Sequence, residues 1–365
     1  MQLMRHFAKN NTSLYINSIV MQKPSFKKGS RLVKRLLRKL KSIKTGLKKS
    51  DADFWVYSPF TMPVHHLSWA RSLNKRILEY QIRSINQRLG IKKPIVLVAC
   101  PAACEVALSM EKTRLIYQRT DRFEEYPNVD TEKIRQYDRR LKTNADLTIF
   151  VSSSLYNEES GECRKAIFLD HGVDFDLFVS AETDEEKPSE MRDIKKPVVG
   201  FFGDIEDHLL DFELIREIVD SLPEMNFVFI GTVMSDCSGW NSRENVWLLG
   251  KKHYEQIPHY GKCFDVAIMP WRRTRWIDVC NPIKLKEYLA LGKPVVSTPF
   301  AELNKYHDVV YEAETPSAFI KCIKKAISED SPELINKRRE KVKNSSWDSK
   351  AELVMNELLG SKQSD

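Results

Sequence analysis

The chain has 365 residues, 58 Lys and Arg against 50 Asp and Glu, and a formal net charge of +8. That length suits two domains, each with its own core. A content of 42 % hydrophobic and 30 % charged residues excludes wholesale disorder, collagen and a disulfide-stapled miniprotein. The charge is uneven. Residues 1–50 hold 14 Lys and Arg and no acid, which leaves 44 basic and 50 acidic side chains, a balance of −6, on the rest. A basic segment on a mildly acidic body does not look like a nucleic-acid binder, and no nucleic-acid partner is expected. The seven cysteines form no CxxC and no Cys/His cluster with zinc spacing, so they read as reduced thiols of a cytosolic protein with no bound metal. No run approaches the ~18–20 apolar residues of a membrane span. The amino terminus lacks the apolar region of a signal peptide.

In chain order, Met1–Ala8 reads as the end of an amphipathic helix and Ser13–Val20 as a strand. Arg31–Lys49 has helical periodicity: Leu32, Val33, Leu36, Leu37, Leu40, Ile43 and Leu47 share one arc, with most Lys and Arg opposite. Phe54–Tyr57 is a short strand and Ser68–Leu89 a long helix. Pro94–Ala99 is a continuous apolar run, as expected of a buried parallel strand. Arg114–Gln118, Leu147–Val151 and Ala166–Leu169 are further strands, with a helix at Thr131–Lys142. Residues 180–196 are charged and aperiodic, the pattern of a linker. A second series follows. Strands are expected at Pro197–Phe202, Asn226–Ile230, Val246–Leu248, Val266–Met269 and Pro294–Ser297. Helices are expected at Asp211–Ser221, Glu255–Tyr260, Pro282–Leu291 and Ser317–Ile327, with interrupted helix over Glu333–Leu359. Strands alternating with helices, twice, predict an α/β protein of two doubly wound parallel-sheet domains.

The most informative stretch is Asp265–Phe300, DVAIMPWRRTRWIDVCNPIKLKEYLALGKPVVSTPF. A strand runs through a loop into a helix that opens after Asn281, with Pro282 at its first position. Lys284 in the first turn opposes the helix dipole, which makes sense where a phosphate sits at that end. Glu287 lies one turn on and has the oxygens to accept two hydrogen bonds from ribose hydroxyls. An ordinary amphipathic helix with solvated Lys and Glu has the same spacing. The segment NPIKLKEYLALGKPVVST is similar to the donor-site signature of GT-B glycosyltransferases of the glycosyl transferases group 1 set. The resemblance implies that Lys284 contacts the nucleotide diphosphate and Glu287 the ribose. Retaining members usually carry a second Glu eight positions earlier. Val279 stands there, beside Asp278, which leaves the stereochemistry open.

VVGFFGDIEDHLLDFELI at Val198–Ile215 resembles the strand, glycine loop and helix that open the second domain of these enzymes. Gly203 there permits close approach of phosphate or sugar. HGVDFDLF at His171–Phe178 resembles the segment ending their first domain, and reads as a turn shaped by Gly172 and Asp174. The two DxD pairs, at Asp174/Asp176 and Asp51/Asp53, do not indicate a metal-dependent GT-A enzyme in this context. LIYQRTDRFEEYPNVD at Leu115–Asp130 resembles a loop of bacterial capsule and teichuronate-type transferases. Asp121 is the candidate general base, with Glu124 and Glu125 as alternatives. A loop carboxylate paired with Arg119 or Arg122 is the competing structural reading. Arg272 and Arg273, with Arg275, suit a diphosphate by bidentate hydrogen bonding.

The resemblance implies a GT-B fold of two Rossmann-like domains facing a cleft: 1–178 for the acceptor, 179–196 as linker, 197–340 for the donor, and 341–365 as a helix crossing back. It implies transfer from a UDP- or GDP-linked sugar, a co-substrate rather than a cofactor, to a glycan or lipid-linked acceptor in cell-surface polysaccharide biosynthesis. Relatives begin with a strand before the helix matching Gln2–Ala8, so the first strand is expected to be absent. Two rival classes stay open: a non-catalytic relative that partners another transferase, and a nucleotide-sugar epimerase of the same shape. The segment Lys23–Lys49, with 12 basic and no acidic residues, reads either as a solvated helix face or as a membrane-surface element. Lys34, Arg35, Arg38 and Lys39 are its candidates for contact with an anionic bilayer. That reading places the protein in the cytoplasm, peripheral at the inner face of the plasma membrane.

Overall fold

The computed structural model describes residues 2–17, 46–50, 53–61, 68–184, 186–240 and 242–360. The chain divides into two compact units, Met1–Asp170 with Lys350–Asp365, and His171–Ser349. The division thus falls at Asp170, not at Phe178 as the sequence suggested. Phe178 lies on the helix Phe175–Ser180 and is fully buried in the core of the second unit. The stretch 179–196 is likewise more than a linker, because Met191 and Ile194 enter the same core.

In the first unit, β1 (Leu14–Ile16), β2 (Leu47–Lys49) and β3 (Trp55–Tyr57) form a small sheet of order β1-β3-β2. β1 runs parallel to β3, and β2 antiparallel to it. Strand β2 corrects the expected helix through Lys49. Gly46 adopts φ +49°, outside the right-handed helical region, and Leu47 then pairs with Tyr57 and Lys49 with Trp55. Lys34, Arg35, Arg38 and Lys39 lie outside the described residues.

A second sheet of the same unit joins β4 (Ile95–Val98), β5 (Arg114–Arg119), β6 (Leu147–Phe150) and β7 (Ala166–Phe168), all parallel and in chain order. Alternation along β5 sends Leu115 and Tyr117 to one face and Ile116 to the other. The first face packs on the helices Cys104–Ser109 and Thr131–Asn144 through Cys104, Ala107, Tyr137 and Leu141. The second packs on Val354 and Leu358 of the helix Trp347–Leu359, with Phe7 of Gln2–Ala8 beside them. Strand β4 is an edge of this sheet, so its run is not buried throughout and Ile95 is exposed.

Strand β5 ends in Arg119, which is fully buried. Its guanidinium meets Glu124 at 3.0 Å, Glu159 at 3.2 Å and Asp138 at 3.3 Å. Lys142 bridges Asp138 at 2.7 Å and also binds Glu159, while the Tyr117 hydroxyl donates to Asp138 at 2.6 Å. Burial of these charges is tolerated because each is paired.

The second unit holds one six-stranded parallel sheet: β8 (Val198–Phe202), β9 (Asn226–Ile230), β10 (Val246–Leu248), β11 (Val266–Met269), β12 (Val295–Ser297) and β13 (Val310–Glu312). Their order is β10-β9-β8-β11-β12-β13. The chain moves outward one way from β8, then returns to its other side at β11. That reversal is the topological switch point of a doubly wound sheet, where crevices open at the carboxyl ends of the strands.

Candidate functional site

Gly203 follows β8 and Trp271 follows β11, so both stand at the carboxyl ends of the two strands flanking the reversal. The helix Ile283–Ala290 begins beyond the same end and carries Lys284 and Glu287 one turn apart. Pro282 is its cap, with φ −75° and ψ 124°, rather than its first helical residue, and no side chain caps the helix. The helix is fastened from behind: the Phe202 N–H donates to the Tyr288 hydroxyl at 2.9 Å, and buried Lys286 donates to the His171 carbonyl.

Lys284 is half-buried rather than fully solvated. Its side chain lies across Gly203, where an added Cβ would stand 2.3 Å from Nζ and 3.2 Å from Cε. Gly203 also has φ +140°, so both space and backbone call for glycine there. The ammonium sits 4.5 Å from the ring centre of Phe201 and 5.7 Å from that of Trp271. Burial pushes its pKa down to about 8, against the pull of Glu287 and Asp204. Glu287 is 7 % exposed, and the Tyr254 hydroxyl donates to its Oε1 at 3.0 Å. Burial pushes its carboxyl up to about 7. Tyr254 and Lys284 draw it down, and Asp174 adds to the rise. The Tyr254 phenol is raised far above its ordinary value by burial and then by both carboxylates, so it stays a donor. Asp174 lies near enough to raise that phenol and makes no cap hydrogen bond to its own helix.

The structure therefore brings Gly203, Lys284 and Glu287 together. Asn281 is half-buried just before the cap. Arg272 and Arg273 are exposed on the loop after Trp271. Arg272 Nε donates to the Leu210 carbonyl at 3.4 Å, and Arg273 faces Glu314 at 3.6 Å, an exposed pair of little energetic weight. Val279 is buried and its neighbour Asp278 exposed. Asp121 lies in the first unit, half-buried in the loop after β5, where its carbonyl accepts the Phe123 N–H at 3.0 Å. Of its alternatives, Glu124 is tied to Arg119, while Glu125 reaches Arg135 at 3.8 Å. Among the described residues no group of three or more His, Cys, Asp or Glu is placed to hold a metal ion. Sequence reasoning missed Tyr254 altogether and took Asp174 only for a turn residue.

A half-buried ammonium in a glycine notch and a buried carboxylate one turn on thus stand at the switch point of a doubly wound sheet, where such sheets bind their ligands. Residues 196–329, within the second unit, match the family described as Glycosyl transferases group 1. A glycosyltransferase of Bacillus subtilis (strain 168), named for teichuronic acid biosynthesis, is 28 % identical over 221 residues, 57 % of this chain. The chain spans about half, 55 %, of the length of that relative. Sucrose-phosphate synthase of Thermosynechococcus elongatus superposes with a TM-score of 0.67 at 12 % identity, over 96 % of this chain and 99 % of that one. HepE of Anabaena, solved with UDP and glucose, gives 0.65 at 12 % identity over 95 % and 99 %.

Proposed function

We propose that this chain is a glycosyltransferase that moves a sugar from a nucleotide-sugar donor to a glycan or lipid-linked acceptor in cell-surface polysaccharide biosynthesis. The observation that carries the proposal is Lys284 in the Gly203 notch with Glu287 one turn further along the helix. Support for a UDP-linked donor comes from HepE, solved with UDP and glucose, and for the surface-polysaccharide role from the Bacillus relative's name.

In this reading the acceptor hydroxyl oxygen attacks the anomeric carbon. The bond from that carbon to the diphosphate oxygen breaks, and the nucleoside diphosphate leaves with the electron pair. Lys284 and the uncapped amino end of Ile283–Ala290 stabilise the charge that develops on the leaving group. Glu287 accepts from the ribose. Asn281, Arg272 and Arg273 border the diphosphate, and Asp121 takes the proton of the attacking hydroxyl. The basic segment containing Lys34, Arg35, Arg38 and Lys39 docks the enzyme on an anionic, cytoplasmic membrane face that carries its acceptor.

The test is a thermal-shift screen against UDP, GDP and their sugars, followed by transfer assays. The expected result is stabilisation by one nucleotide series, lost in Lys284→Ala. Asp121→Asn should keep nucleotide binding and lose transfer. Absence of any stabilisation of the wild-type chain sinks the reading.

A further inference from the structure

Tyr254 reaches the site from a segment about 30 residues before the helix that carries Glu287, and Asp174 from about 80 residues before Tyr254. The tyrosyl hydroxyl has one hydrogen, and it goes to Oε1 of Glu287 at 3.0 Å. Oε2 of Glu287 has no hydrogen-bond partner among the described residues, yet it is not among the polar atoms sealed from solvent without one. No cation lies within ion-pair distance of Glu287 among these residues, and Lys284 Nζ is held between aromatic rings instead. A second carboxylate, Asp174, lies close enough to raise the pKa of both Tyr254 and Glu287. The cluster is rich in acceptors and short of donors, and a vicinal diol supplies two donors.

We propose that Tyr254 is a positioning residue that commits one oxygen of Glu287 to the protein and presents the other, with Asp174 beside it, to the 2′,3′-diol of a ribonucleotide. The inference rests on the reading of this site as a nucleotide site and adds a specificity to it: ribonucleotides over 2′- or 3′-deoxyribonucleotides. The groups facing the Glu287 carboxyl are Tyr254, Lys284, Asp174 and Tyr288. Tyr254 lowers the carboxyl's pKa, so its loss moves the acid limit of nucleotide binding to higher pH.

Isothermal titration of the full chain with UDP and GDP and their 2′- and 3′-deoxy forms tests this, with inorganic pyrophosphate as the ribose-free probe. The wild-type chain should favour the ribonucleotide by about tenfold, the worth of a charge-assisted hydrogen bond. Tyr254→Phe keeps the ring that packs edge-on against Phe178, 6.0 Å away between centres. It should bring the ribo/deoxy ratio close to one and shift the acid limb upward, with pyrophosphate affinity unchanged. Asp174→Asn should lower the ratio with no change in melting temperature. Variants that keep the wild-type ratio and pH profile overturn the inference, as does a wild-type chain that binds both forms equally while still binding UDP or GDP. If the wild-type chain binds neither ribonucleotide, the site reading itself fails.

Discussion

Lys284 carries a charge that its surroundings penalise. Its pKa is about 8 in the folded chain against 10.5 when free, and that of Glu287 about 7 against 4.5. Each unit is worth about 1.4 kcal/mol, so each ionised group costs on the order of 3 kcal/mol. The signs follow from proton counts. Between pH 8 and 10.5 the unfolded chain holds more protons at Lys284, so stability rises with pH there. Between pH 4.5 and 7 the folded chain holds more at Glu287, so stability falls as pH rises. A diphosphate reverses the penalty on the ammonium. Lys284→Met is therefore expected to leave the melting temperature unchanged or raise it by a few degrees while removing nucleotide binding. Calorimetric melts with and without UDP or GDP check this, and a variant that melts well below the wild type contradicts it. In the proposed reading, affinity requires Lys284 protonated and Glu287 ionised. It should peak between about pH 7 and 8, falling below as Glu287 takes a proton and above as Lys284 loses one. Titrations near pH 8 in buffers of different ionisation enthalpy should register proton uptake on binding. A flat profile from pH 6 to 9 would show that neither group touches the ligand.

The secondary elements differ in how plainly the sequence announces them. Helix Phe212–Ser221 is marked by Asp211, whose side chain accepts from the Glu213 and Leu214 N–H groups, both at 3.1 Å. Asp211→Ala should cost about 1 kcal/mol in urea unfolding, the ordinary worth of such a cap. Lys284 and Glu287 were legible for a similar reason: both sit within two turns after a Pro, and local spacing puts them on one face. Tyr254 and Asp174 were not, because only the folding of the sheet carries them to Glu287. Arg119 was legible in part: its pairing with a loop carboxylate is met by Glu124 at 3.0 Å, but its burial and its further partners Asp138 and Glu159 were not, because these look like the solvated faces of two helices. Strand β5 and the helices Thr131–Asn144 and Ser153–Glu159 are joined through that one guanidinium. Arg119→Met strands Asp138 and Glu159 with Lys142 as their shared cation, and should lower stability by about 3–5 kcal/mol. A loss below 1 kcal/mol in chemical denaturation would mean the cluster is looser than its distances indicate.

At the scale of the whole molecule, the alternation of strands and helices was enough to anticipate the parallel sheets. Strand order was not readable from it, because nothing local tells β11 to pair with β8 rather than with β10. The continuous apolar runs at β8 and β11, buried at every position, fit neighbours at the sheet's centre, but periodicity does not name the neighbour. The charge distribution belongs to this scale as well. The first 50 residues hold 14 cations and no acid, while the remainder carries a balance of −6. Among the described residues no helix is long and apolar enough to cross a membrane. A basic residue near an anionic surface contributes about 1 kcal/mol, and salt screens the attraction over about 10 Å at 0.1 M. The full chain should therefore float with vesicles containing phosphatidylglycerol and not with phosphatidylcholine vesicles, and should be released as salt rises. Replacing Lys34, Arg35, Arg38 and Lys39 by Ser removes about 4 kcal/mol of that attraction, or roughly a thousandfold in partitioning. Nucleotide binding through Lys284 should be untouched by the same four changes. Flotation that persists in this variant, or that ignores lipid charge, would separate the basic segment from the membrane and leave its charge to some other anionic partner.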